Sequence, residues 1–284
     1  MIVDFHTHIF SPKIKRDPTD YLARDACFAE LYSAPQAKIA TADDLIASMD
    51  ENNIDVSVVL NIGWTNPELC TETNDYIMES IARFPKRLAG FGMVQPRFPD
   101  AALAELKRCV KGGLKGIGEL RPDVQGYDLN DKDLMSPLVD AMVKSDLILL
   151  THASEPLGHL YPGKGTITPD ILFRFAAAFP KLTLVCAHWG GGLPFFALMP
   201  EVKKALVNVY FDTAASLYLY DAQIYRQVIS LLGAEKILFG TDYPLLSPNR
   251  VLKEIKPLAL GKEPERLILG GNAEKLLDIC GCGI

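Results

Sequence analysis

The side chains of this chain best suited to chemistry are imidazoles and carboxylates, and they fall at selected places. His6 and His8 stand one residue apart in the apolar stretch IVDFHTHIF, residues 2–10. On an extended strand, residues i and i+2 point to the same side, so both imidazoles are expected to face one interior. Two imidazoles on one face can bracket a single divalent ion. His152 closes the run LILLTH, His188 closes LVCAH, Glu119 lies in LKGIGEL and Asp242 closes ILFGTD. Singly, each has an ordinary explanation: a core histidine bonded to backbone, a turn at Asp242-Tyr243-Pro244, an ion pair between Glu119 and Arg121. Together they do not, because burying so many imidazoles and carboxylates in one place is costly without a cation. Asp4 is expected on the same face as the two histidines, deeper, in a supporting role.

Something must bring these residues together. Apolar, β-rich runs recur at 2–7, 55–62, 88–94, 114–120, 146–151, 182–187, 207–212 and 236–241. Their continuous apolar character suits parallel strands covered on both faces. Stretches of helical period lie between them: one opening at the capping sequence Thr41-Ala-Asp-Asp44, then 71–84, 100–111, 133–145, 169–179, 195–206, 221–232 and 249–257, with an extra C-terminal helix at 264–280. Eight such alternations predict an α/β fold, a (β/α)8 TIM barrel forming one domain over 1–284. A doubly wound sheet is disfavoured, since no Gly-x-Gly-x-x-Gly turn follows the first strand. Catalytic groups of such barrels come from the C-terminal ends of strands. His6, His8, Glu119, His152, His188 and Asp242 all sit at those ends.

Composition narrows the partners. The chain has 284 residues and a net charge of −6, which argues against a nucleic-acid binder needing a basic face. No apolar run reaches the ~18 residues of a membrane span. Cys27, Cys70, Cys109, Cys186, Cys280 and Cys282 follow no framework spacing and read as reduced thiols. A cytoplasmic, soluble protein acting on a small molecule is expected, with a homodimer admitted.

D-x-H-x-H at 4–8, THASEP at 151–156, AHWGGG at 187–192, GTDYP at 240–244 and GNAEKLL at 271–277 occur in an order that resembles the amidohydrolase superfamily, specifically its amidohydrolase-related branch of metal-dependent hydrolases and decarboxylases. The resemblance covers nearly the whole chain. It implies that His6, His8 and Asp242 hold one ion. His152 and His188 would hold a second, or His152 would join the first set and leave His188 catalytic. Glu119 falls where binuclear relatives carry a bridging carboxylate, whereas decarboxylase relatives use one metal without that bridge.

Glu119 therefore favours hydrolysis of an amide, ester or lactone by metal-activated water, with Asp242 carrying the proton and His188 assisting. The alternative is a mononuclear, non-oxidative decarboxylase of an aromatic or unsaturated acid. Zinc is expected from the N/O donors, with manganese, iron or nickel as alternatives and one ion or two. Two orientations of strand 4 are open. With Lys115, Ile117 and Glu119 facing inward, Glu119 bridges two cations, which is the favoured reading. With Gly116 and Gly118 facing inward, it lies among the outer helices. Two loops are candidate lids. One is 9–40, carrying Lys13, Lys15, Arg16 and Arg24; the other is 154–165, in which His159, Tyr161 and Lys164 are candidates for meeting the substrate.

Overall fold

A computed structural model describes residues 1–279. The strands are β1 (Val3–His8), β2 (Val56–Leu60), β3 (Leu88–Gly92), β4 (Gly116–Leu120), β5 (Ile148–Thr151), β6 (Leu184–Cys186), β7 (Val209–Asp212) and β8 (Ile237–Leu238). They pair in parallel in that order. The Phe5 amide donates to the Phe239 carbonyl at 2.7 Å and the His8 amide to the Tyr243 carbonyl at 2.7 Å, which closes β8 onto β1. The expected (β/α)8 barrel is thus present. Among the described residues, Cys27, Cys70, Cys109 and Cys186 are free and buried, and no helix is long and apolar enough to cross a membrane. Cys280, Cys282 and the end of the 264–280 helix lie outside the described residues.

Two apolar clusters separate the inside of the barrel from its surroundings. Val3, Phe5, Val58, Leu60, Phe91, Ile148, Leu150, Val185 and Leu238 pack together in the interior, closed below by Ala273 and Leu277. Ile117, Leu149, Leu184, Phe211 and Phe239 face outward into the helical layer. Alternation along each strand divides the two sets.

At two places the alternation breaks. Asp4 pairs with Ser57 and Thr7 with Val59, three steps on β1 against two on β2. Ile117 pairs with Leu149 and Leu120 with Thr151, the same mismatch on β4. Each is a one-residue bulge, which turns the next side chain to the face that its predecessor already occupies. On β1, interior Phe5 is followed by His6, which also turns inward. Asp4, in register with Ser57, therefore lies on the opposite side from Val3 and Phe5, not with the histidines. On β4 the even set faces inward, with Gly116 and Gly118 against Phe91 and Leu150. That overturns the favoured orientation of the strand, yet the bulge still delivers Glu119 to the interior.

The segment 9–40, expected to be a loop, folds into three short helices, Pro12–Arg16, Thr19–Arg24 and Ala26–Tyr32. Their caps were readable but unread: Ser11 accepts from the Ile14 amide and Asp25 from the Phe28 amide. Phe28 stacks on Tyr32 with centroids 4.8 Å apart and on Trp64 at 5.4 Å, so this segment packs as one aromatic unit beside the barrel mouth. Lys13, Lys15 and Arg24 pair with Glu72, Asp44 and Asp20 on the surface. The expected helix 195–206 is instead the end of a 3-10 segment that runs to Leu198, followed by the helix Pro200–Ala205, because Pro200 interrupts it. The remaining helices start at or near the expected positions; the capping box of Thr41 and Asp44 is formed.

Asp25 ties the lid down. Besides capping Phe28, its other oxygen accepts from the Thr65 amide and hydroxyl, both at 2.7 Å. Asp25→Ala removes the cap and leaves donors unpaired, so a loss of about 1–3 kcal/mol is expected. Hydrogen exchange should accelerate mainly within 12–32; protection unchanged there would show that the aromatic packing alone holds the lid.

Candidate metal centre

His6, His8, Glu119, His152, His188 and Asp242 meet at the C-terminal mouth of the barrel. His6 Nε2 lies 3.1 Å from His8 Nε2. Glu119 Oε2 is 3.7 Å from each of these nitrogens. Asp242 Oδ1 is 3.4 Å from His8 Nε2 and 3.8 Å from His6 Nε2. Donors about 2.1 Å from a shared divalent cation stand about 3.0–3.5 Å from one another, close to these separations. Glu119 also serves a second group with its other oxygen, 2.8 Å from His152 Nδ1 and 3.3 Å from His188 Nε2. Both trios, His6–His8–Glu119 and Glu119–His152–His188, have metal-holding geometry.

The tautomers fit the same purpose. His6 Nδ1 donates to Asp212 at 2.8 Å, which leaves the Nε2 lone pair for the cluster. His188 Nδ1 donates to the Ala214 carbonyl at 3.1 Å, a group that can only accept, so Nε2 again faces inward with its lone pair. Converging lone pairs and carboxylate oxygens repel one another unless a proton or a cation intervenes. Together these donors form a divalent-metal site.

The electrostatics record that demand. Burial acts to lower the His6 imidazole, but the Asp212 and Glu119 carboxylates more than offset it and hold it well above its usual range. Burial would raise Glu119; the His152, His188 and His6 imidazoles instead hold it well below the carboxylate range. Asp242 is held at about 2 against burial, chiefly by its hydrogen bond with His8. These carboxylates are ionised and ready to ligate, and a cation would displace protons from the imidazoles.

Local backbone explains why AHWGGG is needed. His188, Trp189, Gly190, Gly191 and Gly192 all have positive φ, a left-handed turn that carries His188 off the strand and over the mouth. A Cβ on Gly191 would lie 2.3 Å from the Ser154 carbonyl oxygen, so only glycine lets the β5 and β6 loops meet. The motif is a buried turn, not a flexible loop. Asp242 also has positive φ, 64°, and such conformations in non-glycine residues concentrate at functional sites.

Asp212 went unread in the sequence. It is fully buried at the end of β7; one oxygen holds His6, and the other accepts from the His188 and Ala214 amides at 2.9 and 3.0 Å. Its position at a strand end was the available signal. His159, Tyr161 and Lys164 remain within their own loop. The Lys164 ammonium donates to the Leu157 and His159 carbonyls and the Tyr161 hydroxyl to Glu155. His159 is exposed, its ring tilted against that of Tyr161 with centroids 5.5 Å apart.

The family model Amidohydro_2, described as Amidohydrolase, matches residues 3–279. The chain is 23% identical to a 2-amino-3-carboxymuconate-6-semialdehyde decarboxylase of Dictyostelium discoideum, over 84% of this chain and 76% of that protein. It is 23% identical to a gamma-resorcylate decarboxylase of Polaromonas sp., over 75% of this chain and 77% of that protein. In fold it resembles a 5-carboxyvanillate decarboxylase from Novosphingobium aromaticivorans complexed with manganese and 4-hydroxy-3-methoxy-5-nitrobenzoic acid, with a TM-score of 0.78, 19% identity and coverage of 98% and 96%. The expected hydrolysis does not stand, because these relatives are decarboxylases. Glu119 does stand between the two histidine pairs, one oxygen toward each, but a carboxylate in that position does not by itself make the reaction a hydrolysis.

Asp212→Asn keeps the shape but removes the charge that orients His6. Metal affinity should fall about 10–100-fold with the fold intact, measured by competition with a chelating dye. Unchanged affinity would show that Asp212 does not tune the ligand.

Proposed function

We propose, from the premise that this chain belongs to the amidohydrolase family, that it is a metal-dependent, non-oxidative decarboxylase of a small aromatic or unsaturated carboxylic acid. The observation that carries this reading is the decarboxylase character of its relatives across most of the chain. The site suits it, because the imidazoles and carboxylates gathered about Glu119 can hold a divalent cation to which an acid's carboxylate can bind.

Decarboxylation breaks one C–C bond: R–CO2⁻ and a proton give R–H and CO2. The electron pair left on carbon must meet that proton, so an acid–base group has to stand at the mouth beside the bound acid. Asp242 fits best. Its side chain is 18% exposed while His6, His8, Glu119, His152 and His188 are 0–8% exposed. It can take a proton from solvent or substrate and pass it to carbon. His188, with Nδ1 fixed on Ala214, presents Nε2 to the substrate side of Glu119 and orients that carboxylate. His6, His8, Asp242 and Glu119 Oε2 would hold the ion. When bound, a divalent cation supplies positive charge that binds the acid's oxygens and stabilises negative charge developing in the reaction. The mixed N/O donor set suits zinc and manganese alike, and manganese is the ion in the structural relative.

The test is carbon dioxide release by protein loaded with zinc or with manganese, against a panel of aromatic and unsaturated acids with lactones and esters alongside. Stoichiometric CO2 from an acid is expected; turnover confined to lactones or esters would sink the reading. Asp242→Asn should lower turnover ~10²–10⁴-fold at unchanged circular dichroism. Near wild-type rates would place the proton transfer elsewhere.

A further inference from the structure

A buried cation beside this centre is only partly neutralised. Arg121 follows Glu119 by two residues, and Leu120 between them packs in the outer cluster, so the arginine returns to the mouth side above Glu119. It is 2% exposed. Its stem passes Gly63, where a Cβ would lie 2.4 Å from Arg121 Cβ; at the other end, a Cβ on Gly165 would stand 3.3 Å from Nη2. Gly63 thus makes room for the arginine stem, and Gly165 makes room for Asp123, which a Cβ there would meet at 2.2 Å.

Only Nη2 of Arg121 is engaged. It lies 3.3 Å from Glu30 and 3.4 Å from Asp123, both long for charge-assisted bonds. Nε and Nη1 carry three N–H donors and have no partner among the described residues; Asp123 Oδ1 and the Tyr127 hydroxyl are likewise unpartnered. Buried donors of this kind are rare unless something else meets them. The Nη2 end lies beside Gly165, whose amide donates to Ser154 Oγ, and that hydroxyl is 3.1 Å from His152 Nε2, which brings the guanidinium to the flank of the site.

We propose that Arg121 receives a second acidic group of the substrate, and that Glu30 of the lid covers part of the guanidinium until that group arrives. Asp123, 12% exposed, is also held by the Thr166 amide and stays; Glu30 lies in the 9–40 segment with its side chain 34% exposed, so it can withdraw into water at small cost. The assignment rests on the decarboxylase reading only for the carboxylate held at the metal. It makes the preferred substrate a diacid whose second acidic oxygen lies across the mouth from the first.

The experiment is calorimetric titration of the metal-loaded chain with matched probes, benzoate against isophthalate and sorbate against cis,cis-muconate. In at least one pair the diacid should bind tenfold or more tightly than the monoacid. Arg121→Gln should bring that preference within twofold and leave the monoacid within threefold of its original affinity. Glu30→Gln should tighten diacid binding severalfold by removing the competing carboxylate. No preference in either pair, or equal weakening of both acids in Arg121→Gln, makes the arginine a structural residue and overturns the proposal. If Arg121→Gln fails to fold, Glu30→Gln decides: unchanged diacid affinity overturns it. The readout is binding, so absent CO2 release would end the decarboxylase reading without touching this result.

Discussion

A carboxylate taken out of water must be compensated by the protein, and Glu119 is the carboxylate around which this barrel mouth is organised. Its two oxygens face four imidazoles, two on each side. The layer beneath supplies no such compensation, since it is apolar: Phe5, Phe91, Leu150 and Val185. Two of the imidazoles, His6 and His188, have their outer nitrogens fixed, by Asp212 and by the Ala214 carbonyl. Removing any one member leaves buried charge or buried donors uncompensated, so the cluster behaves as a unit and its members cannot be valued separately.

The backbone is bent to make this meeting happen. Ideal strands would place alternate side chains inward and leave either Phe5 or His6, either Gly118 or Glu119, facing the helices. Bulges on β1 and β4 remove that choice. Packing is served by the residue before each irregularity and chemistry by the residue after it. The left-handed turn at 188–192 and the positive φ of Asp242 do similar work on the far side of the barrel. Four irregular segments thus converge on one centre, and the regular strands between them hold them in register.

This division explains what the sequence could reveal. Parallel strands announce themselves as apolar runs, and polar residues at their ends stand out against those runs, so His152, His188 and Asp242 were legible. Register is not a property of one strand. Whether Glu119 faces in or out depends on how β4 pairs with β5, and no pattern within LKGIGEL contains that information. Alternation therefore predicted the wrong face for the strand and missed that Glu119 escapes the rule. Asp4 was misplaced by the same mechanism. The lid helices were overlooked because each is 5–7 residues long, too short to show a hydrophobic period, although Ser11 and Asp25 mark their starts. Hydrolysis was inferred from Glu119 by residue type, and type does not say whether a carboxylate bridges two ions or is shared between imidazoles.

The same carboxylate ends up treating its two far imidazoles differently. His152 and His188 both touch Glu119 Oε1, at 2.8 and 3.3 Å. Burial pulls both down, yet His188 is raised to about 9 while His152 is lowered. The difference lies in their other neighbours. Arg121 stands by His152 and opposes a second positive charge there, whereas His188 faces Asp242 as well as Glu119. A site with equivalent imidazoles would leave the position of a proton undecided. Burial and then the Arg121 guanidinium pull His152 down, whereas the Glu119 and Asp242 carboxylates outweigh burial at His188, on the side where Asp242 meets solvent. The two flanks of Glu119 are thus electrostatically unlike, and the Asp242 flank is the more exposed of the two.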